Sequence, residues 1–166
     1  MSDSAPGKPN VLLAVAGPEV EPELVTLACG YAKQSKGKVY VVHVVEVPRT
    51  LPLDADMGEA NRDADAVLSR LEDAAQRSGC AVEAEIIQAR EAGQTLVEEA
   101  LDRGVGLMIL GLQHRAKYGK FYLGQTVPHV LASAPCRVWV VRAPMEGTAG
   151  SKLPQHLDQL SALARH

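Results

Sequence analysis

The chain has 166 residues, of which 46% are hydrophobic and 22% charged, so it can bury one apolar core and is not disordered throughout. Its formal net charge of −3 at pH 7 gives no overall attraction to nucleic acid or to an anionic membrane. Glycine, proline or charged residues interrupt every apolar stretch before membrane-spanning length, which excludes direct membrane insertion. Residues 1–9 are polar and lack a signal-peptide core, so we predict a disordered N-terminus and a cytoplasmic protein.

The first half of the chain alternates short apolar runs with amphipathic segments. Alternation of Val82, Ala84 and Ile86 with glutamates predicts a third strand with one wet face, at a sheet edge. The first two strands are apolar on both faces, and each amphipathic segment carries one apolar stripe at helical spacing. The predicted order is strand 10–16, a helix that closes around residues 35–37, strand 38–47, a second helix that ends at Gly79, and strand 80–88. The apolar face of the second helix carries six residues, Ala64, Val67, Leu68, Leu71, Ala74 and Ala75.

The second half continues the same alternation. A short helix carries Leu96, Val97, Ala100 and Leu101 on its apolar stripe, and a strand over 105–110 is stopped by Gly111. A long loop then leads to a helix over 126–133 and a fifth strand over 137–142. Five strands in strict alternation predict an α/β fold, a doubly wound parallel sheet with helices on both faces. Ligands of such sheets bind beyond the carboxyl ends of the strands, where the strand order reverses.

The cysteines and histidines form no recognisable metal site. Cys29, Cys80 and Cys136 are widely separated, no CxxC pair is present, and the five histidines are equally dispersed. The interpretation of the cysteines is therefore that they are small buried apolar side chains.

The loop from residue 111 to residue 126 has the composition of an anion site. Backbone N–H groups and the positive end of a helix dipole are expected at 124–126, and the loop adds the cations Arg115, Lys117 and Lys120. The alternative is a solvated basic loop that only reconnects two elements.

This loop resembles the nucleotide loop of the universal stress protein family, G-x2-G-x9-G followed by Ser/Thr positions. Gly111 and Gly124 are in register with the first and third glycines, and His114 stands at the second. His43-Val44 resembles the family's HV pair, and residues 134–142 look like its APCPVLVVR close. The resemblance covers residues 10–142 and implies a universal stress protein fold, similar to adenine nucleotide alpha hydrolases, with an adenine-nucleotide cleft.

The residues at the ligand contacts depart from the family pattern. The resemblance implies an acid at Ala16, a serine at Gln125 and a threonine at Val127, whereas Leu110 and Val44 suit positions beside the base. Thr126 supplies a hydroxyl one position out of place. We therefore expect a degenerate cleft that binds ATP, AMP or another adenine nucleotide weakly, lined by Ala16, Val44, Leu110, Gly111, His114, Gly124, Gln125, Thr126 and Val127.

Catalysis is not expected. His43 lies in a strand predicted to be buried and is interpreted as a hydrogen-bonded core residue, while His114 stands beside the cleft and suits a ligand role better. Neither has a serine or cysteine nucleophile and an acid in a recognisable arrangement. The prediction is a regulatory, stress-response protein and not an enzyme, with weak ATP hydrolysis left open.

Two partner predictions complete the interpretation. The fifth strand, Arg137–Arg142, is apolar on both faces and last in the sheet, and with the family resemblance it predicts a homodimer through that strand. The alternative function is a nucleotide-independent, partner-binding regulatory module. Residues 42–54 resemble stress-protein domains attached to amino-acid permeases, so a transporter is one candidate partner. Residues 143–166 are predicted to be a linker followed by either a short C-terminal helix docked on the body or a frayed tail.

Overall fold

A computed structural model describes residues 8–15, 22–112, 116–117, 120–121 and 123–142. The predictions made for residues 1–7, Ala16, His114 and the tail 143–166 lie outside the described residues. The helices are α1 (Glu23–Ser35), α2 (Glu59–Arg77), α3 (Ala92–Asp102) and α4 (Thr126–Ser133). The strands are β1 (Asn10–Val15), β2 (Val39–Glu46), β3 (Val82–Ala89), β4 (Val105–Leu112), β5 (Ala116–Lys117), β6 (Lys120–Phe121) and β7 (Arg137–Arg142).

Five of the strands form one parallel sheet in the order β3-β2-β1-β4-β7. The chain moves outward from β1 through β2 to β3, then crosses to the other side of β1 and continues through β4 to β7. The strand order therefore reverses between β1 and β4, where Ala14 lies opposite Leu110. This arrangement confirms the predicted doubly wound sheet and locates its switch point.

Two apolar layers cover the sheet, one on each face. Helices α1 and α2 bury one face, and all six apolar residues predicted for the second helix are buried. Helices α3 and α4 bury the other face, with Leu12, Leu96, Met108 and Val130 among its buried residues. Strand β1 contributes to both layers because successive side chains of a strand point to opposite faces.

Both predicted edge strands lie at the edges of the sheet. Strand β3 exposes Glu83 and Glu85, as its alternation predicted. Strand β7 is partly exposed, and its Val140 is 37% exposed, so the prediction of a strand apolar on both faces holds for composition but not for burial.

Three local predictions are wrong. Strand β4 does not stop at Gly111 but continues to Leu112, because β7 pairs Val141 and Arg142 with these two residues. Leu101 is not on the buried stripe of α3: it lies in the last turn and is 51% exposed. The loop after β4 also contains regular structure, since β5 and β6 pair antiparallel.

The interpretation of the cysteines as small buried side chains holds for the burial of Cys29, which is 8% exposed, but is wrong for Cys80 and Cys136, which are partly exposed. Cys29 in α1 and Cys80 before β3 form a disulfide, with their Cα atoms 6.1 Å apart. Packing of α1 beside the α2–β3 turn brings together two residues 51 positions apart in the chain, a proximity that no local pattern encodes. Cys136 is a free thiol. In the described part of the chain, no helix is long and apolar enough to cross a membrane.

Candidate functional site

The candidate site is the region beyond the carboxyl ends of β1 and β4, on the face covered by α3 and α4. Leu110 and Val127 are buried in the same apolar cluster, and the partly exposed Val44 packs against it. The structure thus brings together three predicted site residues that are up to 83 positions apart, from β2, β4 and α4. Val44 is the partly exposed member of this apolar surface and Leu110 and Val127 form its buried part, an arrangement of the kind that receives a planar base.

Helix α4 begins beside this apolar surface. Gly124 adopts φ +72°, a left-handed conformation that suits glycine, and so turns the chain into the helix. Gln125 is the N-cap residue but makes no side-chain capping hydrogen bond, and Thr126 is the first helical residue, partly exposed. The first N–H groups of α4 therefore have no side-chain cap from Gln125, which leaves the positive end of the helix dipole uncompensated by that residue.

The other three helices begin beside a carboxylate. Glu23 lies in the first turn of α1 and Glu59 in the first turn of α2. The N–H of Ala92, the first residue of α3, donates a 2.8 Å hydrogen bond to Oε1 of Glu46 at the end of β2. Among the described residues, α4 is the helix with no acidic residue in its first turn and no carboxylate bonded to its start.

Gly111 belongs to the site by position but faces the opposite layer. A Cβ at this residue would lie 2.6 Å from Cδ1 of Leu24, so its missing side chain makes room for α1. Since Leu110 points to the α3/α4 face and neighbours alternate, Gly111 is able to contribute only backbone to a ligand on that face. The sequence analysis predicted both Leu110 and Gly111 in the cleft. It did not distinguish the side-chain contribution of Leu110 from the backbone contribution of Gly111.

His43 is 8% exposed and faces the α1/α2 layer, so it lies away from the apolar surface around Val44. Burial lowers the pKa of its imidazole, which favours the neutral form. Its Nδ1 has no hydrogen-bond partner, so the predicted hydrogen-bonded core histidine is buried as expected but lacks a partner at that nitrogen. The described residues contain no cluster of three or more potential metal ligands.

The structure describes two of the three basic residues of the loop after β4. Lys117 and Lys120 are register partners in the β5–β6 pair, which sets their backbones opposite each other. Arg115, like Ala16 and His114, lies outside the described residues. The predicted contribution of these three cations to an anion site therefore stays a prediction.

Sequence reasoning missed the residues that shape the loop after β2. The guanidinium of Arg90 donates hydrogen bonds to three carbonyl oxygens, at 3.1 Å to Val47, 2.6 Å to Pro48 and 2.9 Å to Leu51. Gln88 donates a 2.7 Å bond to the carbonyl of Ala55. No spacing pattern in the sequence predicts these bonds, because their acceptors are backbone oxygens 33 to 43 positions earlier in the chain.

Comparison with solved structures shows the same fold. A universal stress protein from Archaeoglobus fulgidus is 22% identical, with a TM-score of 0.61 over 79% of this chain and 96% of that one. The structure from the same organism in complex with dAMP is 17% identical, with a TM-score of 0.62 over 79% and 95%. An Arabidopsis thaliana protein of the universal stress protein family with AMP bound is 17% identical, with a TM-score of 0.58 over 86% and 96%.

Comparison at the level of sequence gives the family itself. No significant match was found among curated proteins. The model of the universal stress protein family matches residues 9–142, which include every element from β1 to β7. The chain belongs to the universal stress protein family.

Proposed function

We propose that this protein is a regulatory universal stress protein that binds a phosphorylated adenine ligand weakly in a degenerate cleft at the switch point between β1 and β4. The observation that carries the proposal is the start of α4, the described helix with no carboxylate at its start, which adjoins the apolar surface of Val44, Leu110 and Val127. An adenine base suits that surface, and a phosphate suits the uncapped helix. Solved relatives with the same fold carry AMP or dAMP.

The proposed affinity is low because side chains that the family resemblance implies as ligand contacts are absent. Ala16 has no polar group, and Gln125 and Val127 replace the expected hydroxyls. A hydrogen bond to a charged group contributes about 1.5–3 kcal/mol, so two missing bonds weaken binding by roughly two orders of magnitude or more. Thr126 is the remaining hydroxyl at the start of α4, and we assign it to the phosphate.

Thermal shift and calorimetry with AMP, ADP, ATP, cyclic AMP and inorganic phosphate test this proposal. Ligands that bind only the folded state raise the melting temperature by mass action, and we expect AMP to exceed ATP. Thr126→Val should weaken AMP binding severalfold. Thr95→Val is the matched control, because Thr95 lies in the first part of α3 and its hydroxyl bonds the carbonyl of Glu91. Absence of any shift at millimolar nucleotide, or submicromolar ATP binding, would contradict the proposal.

The proposal assigns no catalytic step to the cleft. The described residues of the site are apolar apart from the amide of Gln125 and the hydroxyl of Thr126, and none of them is a base that would activate that hydroxyl. We expect phosphate release from ATP to stay at the background rate. A rate above background that is lost in Thr126→Val would show that the cleft is catalytic.

We also propose that the protein is a homodimer through β7. This strand is an edge of the sheet, and Val140 exposes an apolar side chain there, whereas the opposite edge carries Glu83 and Glu85. A charged side chain on an edge strand opposes pairing, so Val140→Lys should give monomers. Leu101→Lys, at an exposed leucine in α3, is the control and should stay dimeric. Sedimentation of the unmodified protein as a monomer at high micromolar concentration would contradict the dimer.

A second candidate function is nucleotide-independent partner binding through the loop after β2. Arg90 and Gln88 fix this loop, which nevertheless exposes Leu51 by 43% and Leu53 by 47%. Apolar side chains held in a fixed exposed conformation suit an apolar pocket on another protein, and a transporter domain is one such partner. Replacing both leucines with serine should abolish binding to such a partner without changing the melting temperature, whereas Leu101→Ser should leave binding intact. If the double variant still bound the partner, the loop after β2 would be excluded as the binding surface.

A further inference from the structure

The disulfide between Cys29 and Cys80 joins α1 to the turn between α2 and β3, which are also linked by a 3.4 Å hydrogen bond between the hydroxyls of Thr26 and Ser78. Cys29 lies in the middle of α1 and Cys80 in the turn between α2 and β3. Cys29 is 8% exposed and belongs to the apolar layer between α1, α2 and the sheet. Cys80 is partly exposed at the outer margin of the same layer. The two sulfurs therefore differ in their access to a reagent from solution.

Cys80, the more exposed of the two cysteines, lines an open depression of about 400 Å³. The depression is lined by Glu72, Gln76, Gly79, Cys80, Ala81 and Val82. Thiol–disulfide exchange requires a thiolate to reach one sulfur of the bond and expel the other, so access decides which sulfur is attacked. The depression gives that access to Cys80, and the buried Cys29 becomes the leaving group.

Helix α1 connects this disulfide to the candidate cleft. Five residues before Cys29, Leu24 packs against Gly111 at the carboxyl end of β4, where an added Cβ would lie 2.6 Å from Cδ1 of Leu24. At 1.5 Å per residue, these two points of the helix are only about 7.5 Å apart along its axis. A change in how firmly Cys29 is held is therefore transmitted along a short rigid helix to the backbone of Gly111.

We propose that Cys29–Cys80 is a reversible exchange site for small thiols and disulfides, attacked at Cys80, and that its oxidation state sets the order of α1 over the end of β4. In reduction, a small thiolate attacks Cys80 Sγ, forms a mixed disulfide and releases Cys29 as a thiolate that takes up a proton. A second small thiolate attacks the sulfur of the bound small thiol, releases the Cys80 thiolate to be protonated, and leaves as the small disulfide. Two electrons and two protons pass to the protein, and the reverse sequence reforms the bond.

The first test identifies the attacked sulfur with oxidised glutathione as the probe. Cys29→Ala leaves Cys80 at the depression and should form a mixed disulfide, detected as added mass on the folded protein. Cys80→Ala leaves the buried Cys29 and should stay unmodified. Both variants are made with Cys136→Ala, because Cys136 is the third thiol and lies against the opposite layer. Equal modification of both cysteines, or modification of Cys29 alone, would overturn the assignment.

The second test measures the connection to β4 in the unmodified protein, so it does not depend on any variant folding. Reduction with millimolar glutathione should proceed without unfolding, lower the melting temperature by several degrees and accelerate amide exchange at residues 23–27 and 110–112 several-fold. If the disulfide were reduced only after the protein unfolds, the proposal that it exchanges with small thiols in the folded protein would be wrong. Acceleration confined to residues 78–82 would overturn the connection through α1. Neither measurement uses a nucleotide, so both outcomes are independent of the proposed ligand.

Discussion

Helices α3 and α4 cover the same face of the sheet but begin in opposite electrostatic settings. Neither has an acidic residue in its first turn. The start of α3 is occupied by the carboxylate of Glu46 from a neighbouring strand, and its own N-cap residue Glu91 forms an ion pair with Arg49 instead. The start of α4 receives no carboxylate from the described residues. Between these two helices, a residue of a neighbouring strand, and not the sequence of the helix, therefore decides which start is free for a ligand.

The largest expected effect comes from restoring the family pattern at the α4 end. Ala16→Asp, His114→Gly and Gln125→Ser together should strengthen ATP binding by roughly a hundredfold, since each restored bond to a charged group contributes about 1.5–3 kcal/mol. Calorimetric titration of ATP measures the change. An unchanged dissociation constant would show that the low affinity has another origin.

Making α4 resemble α3 should remove the ligand. Gln125→Asp places a carboxylate at the N-cap of α4, where it competes with a phosphate for the same N–H groups and repels it. We expect AMP binding to be lost while the free energy of unfolding rises by about 0.5–1 kcal/mol. Gln125→Asn is the control, because it caps the helix without charge and should retain more binding. Equal AMP affinity in the two variants would show that the phosphate does not bind at the start of α4.

Removing the carboxylate from the start of α3, so that it resembles α4, should lower the free energy of unfolding and leave AMP affinity unchanged. Glu46→Ala removes both the hydrogen bond to Ala92 and the charge at the dipole, at a cost of about 1 kcal/mol, or roughly 2–4 °C in melting temperature for a chain of this size. Glu98→Ala, at an exposed glutamate later in α3, should change it much less. A loss of AMP affinity in Glu46→Ala would mean that the two helix starts do not act separately.

The smallest expected effect is the pH dependence of stability that comes from His43 in the core, away from either helix start. Because burial lowers the pKa of His43, the unfolded chain binds a proton more readily than the folded chain, and stability should fall as pH drops below about 6.5. His43→Leu should flatten that decline, since it removes the titrating group and the unpartnered Nδ1. Melting curves between pH 5 and pH 8 measure this, with exposed His129→Gln as the control. An unchanged pH slope in His43→Leu would assign the decline to other groups.

Local periodicity predicted much of the fold. The apolar stripe of α2 was predicted residue by residue, and the bounds of α4 and β7 agree with the structure. Both edge strands were also predicted, β3 because alternating glutamates require a solvated face. Each of these features depends on residues close together in the chain, where hydrophobic spacing follows directly from helix or strand geometry.

Predictions failed where a partner distant in sequence decided the outcome. Gly111 ended the predicted strand because glycine usually does, but pairing with β7 extends β4 through it. Leu101 fits the stripe of α3, but it lies in the last turn, where the layer no longer covers it. In the candidate site, Val44, Leu110 and Val127 were placed together by family resemblance, and the separate role of Gly111 required the position of Leu24.

Short-range patterns were sufficient to predict the alternation of strands and helices, the family and the apolar residues of the core. Three features instead depend on how distant elements pack: Glu46 occupies the start of α3, Arg90 holds the loop after β2, and Cys29 is bonded to Cys80. These contacts join residues 39 to 51 positions apart. Such contacts form only after two elements have packed, so the spacing of residues along the chain does not predict them.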